Sequence, residues 1–523
     1  MEDVEMLFLK LSPVFLVVIL MGISNIPQLV EIFGIQLDLS IVAFLAVVWA
    51  AIISMITMKK NINQVIEDGL KAVREAVLVY FILMLAYAIG EVFMYSGVGA
   101  SLVQAFLKLG ISGRTVALVS LLTTSVLSVA TGTSWGTFAA CAPIFLWLSH
   151  IVGGDPIITM AAICGGSCFG DNIGLISDTT VISSAMHDVE VVHRVRHQGV
   201  WSLMCLVATS IVFYLVSMHL PGGGGVDVTG SIQSIPPDVM EMLSVERPGA
   251  VVLLNQIQSG VSYLMAIPLF VVIGTAIAGV PTLLCLFLGL FSSFIFGMIT
   301  GTISSFWKFL DYVLTGFSDA GSWVIVIGLW IVAFGGIMQG MKAFDPIAHF
   351  MARISKSVKQ LMFYNGVLTL IGTASLADDM AEIVTISPII RQVTEENVEG
   401  DKKSMYTLAL RNSAFADAMA VFGSQVVPWH VYMSYFVSLG LAIYPLGEFT
   451  ALKIIGRHYF AWIVVASMLL LTLTGFDRFI PLFALPREPQ DVRLIKNKKP
   501  PLNPDEPTDP IIEEAVTPAD QAE

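Results

Sequence analysis

The chain has 523 residues, of which 56% are apolar and only 13% are charged. That charged fraction is about half the roughly 25% of soluble domains, which excludes an ordinary soluble enzyme and a disordered protein. A formal net charge of −13 argues against a nucleic-acid-binding protein, which needs a basic surface. Five cysteines are too few for a disulfide-stapled secreted scaffold. These features indicate an integral membrane protein with many crossings.

Apolar runs along the chain predict the transmembrane helices, because a helix needs about 20 mostly apolar residues to cross the hydrocarbon core. Nearly uninterrupted runs occupy residues 11–30, 39–58, 76–97, 115–131, 200–220, 261–280, 281–299, 322–341 and 460–482. Runs interrupted by small, polar or acidic residues occupy residues 133–152, 156–186, 361–390 and 412–445. The predicted fold class is an all-α integral membrane protein with roughly 10–13 transmembrane helices, some of them broken or re-entrant.

Basic residues in the short loops predict the orientation in the membrane. They concentrate in residues 59–75, 187–198 and 342–360, which we place in the cytoplasm together with the N-terminus. The N-terminal sequence is acidic and no small-residue cleavage site follows the first apolar run, so that run is expected to remain as a span. Arg194, Arg196 and three histidines between residues 187 and 197 are predicted to form a cytoplasmic rim.

Composition divides the chain into two transmembrane halves, residues 1–220 and 261–484. Residues 221–260, rich in glycine and acids, are predicted to be an extracytoplasmic linker. The tail from residue 485 to residue 523 is rich in proline, lysine and acids, and is predicted to be disordered and cytoplasmic.

The two halves share an order of features that predicts two inverted structural repeats. In each half a Gly-Thr step is followed by a proline and then by an acid behind a small residue. The members are Gly132-Thr133, Pro143 and Gly170-Asp171 in the first half, and Gly372-Thr373, Pro388 and Ala416-Asp417 in the second. The alternative is chance similarity between spans rich in small and hydroxyl residues.

The first candidate site contains four hydroxyl residues and two glycines within seven positions: Thr131, Thr133, Ser134 and Thr137, with Gly132 and Gly136. This density predicts a helix break, which lipid tolerates only where the backbone is buried in protein or lines a cavity. Freed carbonyls and hydroxyls are hard oxygen ligands that suit a small alkali cation. The alternative is close helix packing by small residues.

The second candidate site contains Asp171, Asn172, Ser177, Asp178 and Thr179. An ionised acid at membrane depth is costly unless it is paired, so such acids are functional candidates. One carboxylate can bind either a proton or a cation, and that competition is the simplest mechanism of antiport. For Asp178 the alternative is a cap on a helix that begins at Thr179. Just upstream, the Gly-x-x-x-Gly pair of residues 166 and 170 predicts a close helix contact.

The third candidate site contains Ser375, Asp378, Asp379 and Glu382. Asp378 and Glu382 stand four residues apart and can share one helical face, where two like charges repel. One of them is therefore expected to hold a proton or a cation, unless the segment is a solvated loop end.

The fourth candidate site contains Asp417, Ser424 and His430, which follow one another in a largely apolar run. Asp417 is expected to be functional because of its depth in that run. His430 is interpreted either as a titrating group or as a hydrogen-bonded structural residue.

These motifs resemble the NhaC family of sodium/proton antiporters, within the ion-transporter superfamily, over roughly residues 40 to 480. The motifs that carry the resemblance are the run from Thr131 to Thr137 that ends at Pro143, Phe169-Gly170-Asp171-Asn172, Ser177-Asp178-Thr179-Thr180, Arg196 and Gln198, Gly372-Thr373, Ala377-Asp378 and Pro428-Trp429. Gly174-Leu175 stands where the family has Ser-Pro, and His430 stands where it has Asn.

The resemblance implies a two-repeat transporter of the bacterial inner membrane that exchanges Na+ and H+ at broken helices. Na+ is the transported or coupling ion, no cofactor is expected, and a homodimer remains an open option. The predicted Na+/H+ ligands are Thr133, Ser134, Asp171, Asn172, Asp178, Thr179, Asp378 and Asp417. Further predicted substrate contacts are Thr131, Thr137, Ser177, Ser375, Asp379, Glu382, Ser424 and His430.

Three alternatives to plain sodium/proton antiport stay open. The nearest is Na+- or H+-coupled transport of a small organic acid, of malate or lactate type, or of an amino acid. An intramembrane aspartyl enzyme would need two acids sharing one proton, and Gly170-Asp171 lacks the fuller Gly-x-Gly-Asp pattern of that class. A channel would use residues 133–136 as a filter, but nothing suggests a symmetric oligomer.

Overall fold

The computed structural model describes residues 2–495, except residues 26–36, 76, 132–133, 175–176, 223–227, 234, 236, 247, 279, 323 and 343. The described chain is almost entirely helical. Helices before the linker are α1 (Glu2–Asn25), α2 (Leu39–Met58), α3 (Ile62–Glu75), α4 (Val77–Ser96), α5 (Val98–Lys108), α6 (Val116–Thr131), α7 (Ser134–Ile151), α8 (Pro156–Ile173), α9 (Asp178–Met186) and α10 (Val191–Val216).

The predicted linker contains short helices, and the second half is helical again. The linker helices are α11 (Val228–Gln233), α12 (Pro237–Glu246) and α13 (Pro248–Ser259). The later helices are α14 (Ile267–Ile277), α15 (Thr282–Thr300), α16 (Phe306–Ser322), α17 (Val324–Gly340), α18 (Asp345–Ile354), α19 (Val358–Leu376), α20 (Asp379–Asn397), α21 (Lys402–Ala418), α22 (Val431–Ile443), α23 (Ala451–Ile455) and α24 (Tyr459–Thr474).

Several helices have the length and composition of membrane spans, and others reach it only as bent pairs. Within the described residues, the single spans are Ser40–Met58, Val191–His219 and Leu283–Thr300. The bent pairs are Tyr80–Ser96 with Val98–Lys108, Phe306–Ser322 with Ile325–Gly340, and Lys402–Val426 with Val431–Ile443. The predicted all-α, multi-pass membrane protein with broken helices is confirmed. By length and composition alone, three described helices can cross a membrane, or six if each bent pair is one span.

Side-chain contacts define two opposite ends of the helix bundle. At the end that we call the linker end, Nε of Arg114 donates to the carbonyl of Leu220 at 2.7 Å. At the end that we call the basic end, Arg391 forms an ion pair with Asp188. The helix α10 connects the two ends, and its 26 residues give a length of roughly 39 Å, enough to cross a bilayer.

The two other basic segments also lie at the basic end. Nζ of Lys60 donates to the carbonyl of Gly340 at 3.1 Å, and Nζ of Lys10 donates to the carbonyl of Met341 at 2.9 Å. Gly340 is the last residue of the bent pair Phe306–Ser322 with Ile325–Gly340. That pair begins near the linker end, where Tyr312 stacks on Tyr95 with ring centroids 3.9 Å apart. Gly340 therefore lies at the opposite, basic end.

The helices α6 and α7 form a hairpin that opens toward the linker end. The loop before α6 meets the loop after α7, because a Cβ on Gly113 would lie 2.7 Å from the carbonyl oxygen of Gly153. The two residues between these helices, 132–133, lie outside the described residues. The apolar runs 115–131 and 133–152 are therefore the two antiparallel arms of one hairpin.

The helices α19 and α20 form a second hairpin, and it opens toward the opposite end. Nδ2 of Asn365, early in α19, donates to Oγ1 of Thr394, late in α20, at 2.9 Å. The tip of this hairpin is the left-handed residue Ala377, at φ 56°, followed by the N-cap Asp378. Each hairpin precedes an interrupted crossing, α8 with α9 after the first and α21 with α22 after the second.

The tail differs from the prediction at its beginning. Residues 398–400 (β1, Val398–Gly400) pair with residues 492–494 (β2, Val492–Leu494) as two antiparallel strands. The Glu488 carboxylate accepts a hydrogen bond from the backbone N–H of Val358 at 2.8 Å. The chain is thus packed at the basic end as far as residue 495, and the predicted disorder from residue 485 is wrong for this stretch. Residues 496–523 lie outside the described residues.

Candidate functional site

The carboxylate of Asp171 lies against the first residue of α7. Its Oδ2 accepts hydrogen bonds from the backbone N–H of Ser134 at 3.1 Å and from the hydroxyl of Tyr432 at 3.3 Å. Its Oδ1 accepts a third bond from Oγ of Ser177 at 3.1 Å. A helix N-terminus offers unpaired N–H groups and a partial positive charge, so this position favours an anion although Asp171 is only 4% exposed.

Hydroxyl residues line the gap that separates α8 from α9. Oγ1 of Thr180 donates to the carbonyl of Asp171 at 2.7 Å, and Oγ1 of Thr179 lies 3.3 Å from the same oxygen. Oγ of Ser177 and Oγ1 of Thr179 are 3.1 Å apart. Hydroxyl oxygens and a carboxylate therefore gather beside interrupted backbone, which is the type of group that holds Na+ in broken-helix transporters.

The neighbouring Asn172 connects the first half of the chain to the second. Its Nδ2 donates to Oδ2 of Asp417 at 3.2 Å, and its Oδ1 accepts from Oγ of Ser202 at 2.7 Å. Asp417 is completely buried, as is Arg194, which forms an ion pair with it. Because two interrupted crossings supply Asn172 and Asp417, a relative movement of the two would change this contact.

Arg194 was not expected in the site. The sequence placed it on a cytoplasmic rim with Arg196 and nearby histidines, but Arg194 is 0% exposed whereas Arg196 faces out. NH1 of Arg194 also donates to Oγ1 of Thr180 at 2.8 Å. The rim prediction is therefore wrong for Arg194, because its partner Asp417 lies in the other half of the chain and leaves no local signal.

The acids at the start of α20 have three different environments. Oδ1 of Asp378 accepts from the backbone N–H of Ala381 at 2.8 Å, as an N-cap does. Asp379 is 6% exposed and lies beside Tyr432 and Asp171. Glu382 is 0% exposed, and neither of its carboxylate oxygens has a hydrogen-bond partner among the described residues. The predicted pairing of Asp378 with Glu382 on one face is wrong, because Asp378 lies outside the helix; Asp379 and Glu382 are the pair within it.

Several other predicted residues make hydrogen bonds mainly with residues close to them in the sequence. Oγ of Ser424 donates to the carbonyl of Val421 at 2.7 Å, beside a π-helical turn (Met419–Gly423). Nδ1 of His430 accepts from the backbone N–H of Tyr432 at 3.2 Å and so caps α22. Thr137 is buried one turn after Ser134, and Ser375 faces a small cavity next to the tip of the second hairpin.

Three predicted residues lie at the edge of what the structure describes. Thr133 is outside the described residues, and so are the side chains of Thr131 and Asp178. The structure adds two residues that the sequence did not single out, Tyr432 and Ser202. Tyr432 follows Trp429 and His430 closely, but only the fold shows that its hydroxyl reaches Asp171.

Among the described residues, no three histidine, cysteine, aspartate or glutamate side chains form a metal-ion cluster. The oxygen atoms around Asp171 belong to its own carboxylate, to serine, threonine and tyrosine hydroxyls, and to the backbone. Together with two helical hairpins and two interrupted helix pairs, they define an all-α membrane protein with buried carboxylates at broken helices.

Comparison with known proteins gives the family. A family model described as "Na+/H+ antiporter family" matches residues 4–219 and residues 168–441. The chain belongs to this family, and the resemblance predicted from its motifs is confirmed.

Curated relatives differ in what they carry. The malate-2H(+)/Na(+)-lactate antiporter of Bacillus subtilis is 31% identical over 223 residues, which cover 42% of this chain and 46% of the relative. The arginine/ornithine antiporter ArcD of Halobacterium salinarum is 25% identical over 52% of this chain and 56% of the relative. The Na(+)/H(+) antiporter NhaC of Alkalihalophilus pseudofirmus is 25% identical over 56% of this chain and 62% of the relative. The chain thus spans about half the length of the curated relatives it matches.

Among solved structures, the YdaH transporter of Alcanivorax borkumensis is similar over 79% of this chain and 90% of that chain. The sequence identity is 12% and the TM-score is 0.37.

Proposed function

We propose that this protein is a sodium/proton antiporter in which Na+ and H+ bind in turn at buried carboxylates. The observation that carries the proposal is the Asp171 carboxylate, buried at the N-terminus of α7 and held by Ser134, Ser177 and Tyr432. Three neutral donors stabilise its charge without neutralising it, so the group remains available to a cation. Membership of the Na+/H+ antiporter family supports the same function.

In this proposal Na+ binds between the Asp171 carboxylate and the hydroxyl oxygens of Ser177 and Thr179. Ser134, with its hydroxyl 2.8 Å from that of Tyr432, adds a further oxygen close by. When Na+ is bound, its charge balances the acidic cluster and a proton can leave. When Na+ leaves, the cluster binds a proton again. Charge balance in a low-dielectric environment thereby links the two ions.

A second candidate is coupled exchange of an organic acid or amino acid, favoured by the relatives named for malate, lactate, arginine and ornithine. Carriage of a carboxylate would need a free buried cation or a free helix N-terminus to hold it, and the N-terminus of α7 already donates to Asp171. Among the described residues, the buried guanidinium groups of Arg194 and Arg411 each face an acid of the protein, Asp417 and Asp477. We therefore favour the inorganic ions.

The test uses purified protein in vesicles with an internal pH dye. A Na+ gradient without any organic solute should drive a pH change in vesicles that contain the wild-type protein. A pH change that appears only after addition of malate, lactate, arginine or ornithine would replace the proposal with the second candidate.

The Asp171→Asn variant should reach the membrane in normal amounts but exchange no Na+ for H+, because an amide cannot balance a cation. The matched control is Asp311→Asn, an acid on α16 that is 66% exposed. Asn at position 311 should leave the exchange rate unchanged. Exchange by the Asp171→Asn variant at the wild-type rate would make Asp171 a structural residue.

The proposal includes the arrangement of the chain in the membrane. Two inverted repeats, in residues 1–220 and 261–484, are supported by the two hairpins that open to opposite ends. Location in a bacterial inner membrane with the basic end in the cytoplasm is supported by the three basic segments at that end. A homodimer stays a prediction from the sequence.

A further inference from the structure

Glu382 is a buried carboxyl group of the site that lacks hydrogen-bond donors among the described residues. It is 0% exposed, one turn into α20, and both of its carboxylate oxygens lack a hydrogen-bond partner among the described residues. A buried polar atom without a partner is rare in folded proteins and calls for an explanation. The Asp171 carboxylate differs, because it accepts three hydrogen bonds.

The charged groups that act on Glu382 are themselves acids, Asp379 on the same helix and Asp417 on α21. Arg194 forms its ion pair with Asp417 rather than with Glu382. Asp178 begins α9, which packs against α20, but its side chain lies outside the described residues.

Other titratable groups on helices packed against α20 lie away from Glu382. On α18, His349 and Arg353 are exposed and Asp345 is half-buried at the first residue. Lys359 lies at the start of α19, beside Gly475. Arg411, one residue before Asn412 on α21, bonds to Asp477 and Thr472.

We propose that Glu382 carries the transported proton and that Asp171 carries the Na+, so that the two ions use different carboxyl groups. This inference rests on the proposed function. A carboxylate with no donor and two acidic neighbours is far less stable than the neutral acid, so Glu382 holds a proton whenever Na+ is absent. Asp379 interacts electrostatically with both Asp171 and Glu382 and thereby couples the two groups.

The exchange step is balanced in atoms and charge. When Na+ binds at Asp171, its positive charge lowers the cost of an additional carboxylate in the cluster. The O–H bond of Glu382 then breaks, the electron pair stays on the carboxylate, and H+ leaves to the aqueous side that is open. Departure of Na+ reverses the step, and Glu382 takes a proton from the side then open.

Glu382→Gln is the sharpest test, because glutamine has the shape of the protonated acid but cannot release a proton. Two fluxes should be measured in the same vesicles, the pH change driven by a Na+ gradient and the exchange of radioactive Na+ for unlabelled Na+. We expect the variant to lose the pH change, to the level of vesicles without protein, and to retain the Na+/Na+ exchange. Asp171→Asn should lose both fluxes.

The matched control is Glu395→Gln, the same chemical change at a position of α20 that is 59% exposed. It should keep both fluxes. Retention of the Na+-driven pH change by the Glu382→Gln variant would overturn the inference while leaving the antiport proposal intact. A wild-type protein that shows no Na+-driven pH change would instead overturn the antiport proposal itself.

A spectroscopic measurement covers the case in which the Glu382→Gln variant fails to fold. Infrared difference spectra of the wild type, with and without Na+, should show the loss of a protonated-carboxyl band on Na+ binding. The Glu382→Asp variant should shift the position of that band and still exchange Na+ for H+. A wild-type spectrum without such a band change would contradict the inference.

Discussion

Arg194 and Asp417 form an ion pair between α10 and α21, and both side chains are wholly buried. Desolvation of two charges is expensive, so a pair of this kind adds little net stability, whereas removal of one partner leaves a costly lone charge. Because Arg194 balances its charge, Asp417 is less available than the other acids to bind Na+ or H+. Asp417 is thereby distinguished from Asp171 and Glu382, for which the described part of the chain supplies no guanidinium partner.

Removal of the guanidinium should destabilise the protein more than removal of the whole pair. We expect Arg194→Gln to lower the free energy of unfolding by about 3–5 kcal/mol, the range for breaking a buried pair. The double variant Arg194→Gln with Asp417→Asn should recover most of this loss. Thermal unfolding in detergent, followed by tryptophan fluorescence, measures both variants.

The pair of Arg411 with Asp477 supplies the comparison, since it is equally buried but belongs to the packing of the tail. Asp477→Asn should lower stability without changing the Na+ concentration that half-saturates transport. The Arg194→Gln with Asp417→Asn variant should change that concentration. Equal Na+ affinities in the two variants and the wild type would show that Asp417 is only structural.

At the level of residues, the sequence predicts the acids better than their partners. Asp171, Asn172 and Asp417 were recognisable because a polar side chain in an apolar run is unusual, and the structure brings them together. Arg194 and Tyr432 could not be recognised in this way. A basic residue near a helix start resembles a solvated loop, and a tyrosine in a membrane helix is common.

At the level of helices, a close contact joins α6 to α8. A Cβ on Gly170 would lie 2.1 Å from the backbone of Ser128, and one on Gly166 would lie 1.9 Å from Oγ1 of Thr124. Oγ of Ser128 accepts from the backbone N–H of Gly170 at 2.9 Å. This approach, predicted from the Gly-x-x-x-Gly pattern, fixes the end of α8 and hence the position of Asp171.

Gly170→Ala should therefore reduce both folding and transport, because the backbone of α6 has no room to move away from a methyl group. Gly199→Ala on α10 is the matched control, since a Cβ there meets nothing within 4 Å. The control should be neutral or slightly stabilising, as alanine favours a helix over glycine. The fraction of monodisperse protein after detergent extraction measures both, and wild-type behaviour of Gly170→Ala would refute the close contact.

The interruptions of the second half were harder to predict than those of the first. The π-helical turn Met419–Gly423 follows directly on α21, and Oγ1 of Thr373 donates to the carbonyl of Met419 at 3.1 Å. The local sequence does not mark this turn. The carbonyl of Met419, which the turn frees, accepts its hydrogen bond from a residue of another helix that is distant in the sequence. Such turns frequently accompany functional sites.

At the level of the whole molecule, the orientation is open to a direct test. Leu109 is 75% exposed near the linker end, and Glu190 is 72% exposed at the basic end. The five native cysteines are all buried, so they give little background labelling. On intact cells, a membrane-impermeant maleimide should label the Leu109→Cys variant and spare the Glu190→Cys variant until the cells are opened. The reverse pattern would invert the predicted orientation.

Apolar length predicted a membrane protein correctly, but it does not separate a full crossing from one arm of a hairpin. The runs that form the first hairpin have the composition of spans, yet the chain turns back between them. A helix can end within the membrane only where neighbouring residues form hydrogen bonds with the backbone groups at its end. Those neighbours come from distant parts of the sequence, so the local sequence does not show whether a run turns back. The basic segments 59–75 and 342–360 were predicted to share one side, and the contacts of Lys60 with Gly340 agree with that.

The two hairpins of like construction open toward opposite ends, and this has a kinetic consequence. In the proposed antiporter, similar hairpins would face both sides of the bilayer, so we expect exchange in either direction. The direction of net Na+ flow is then set by the imposed Na+ and H+ gradients. The same vesicles should extrude Na+ under one pair of gradients and accumulate it when the gradients are swapped.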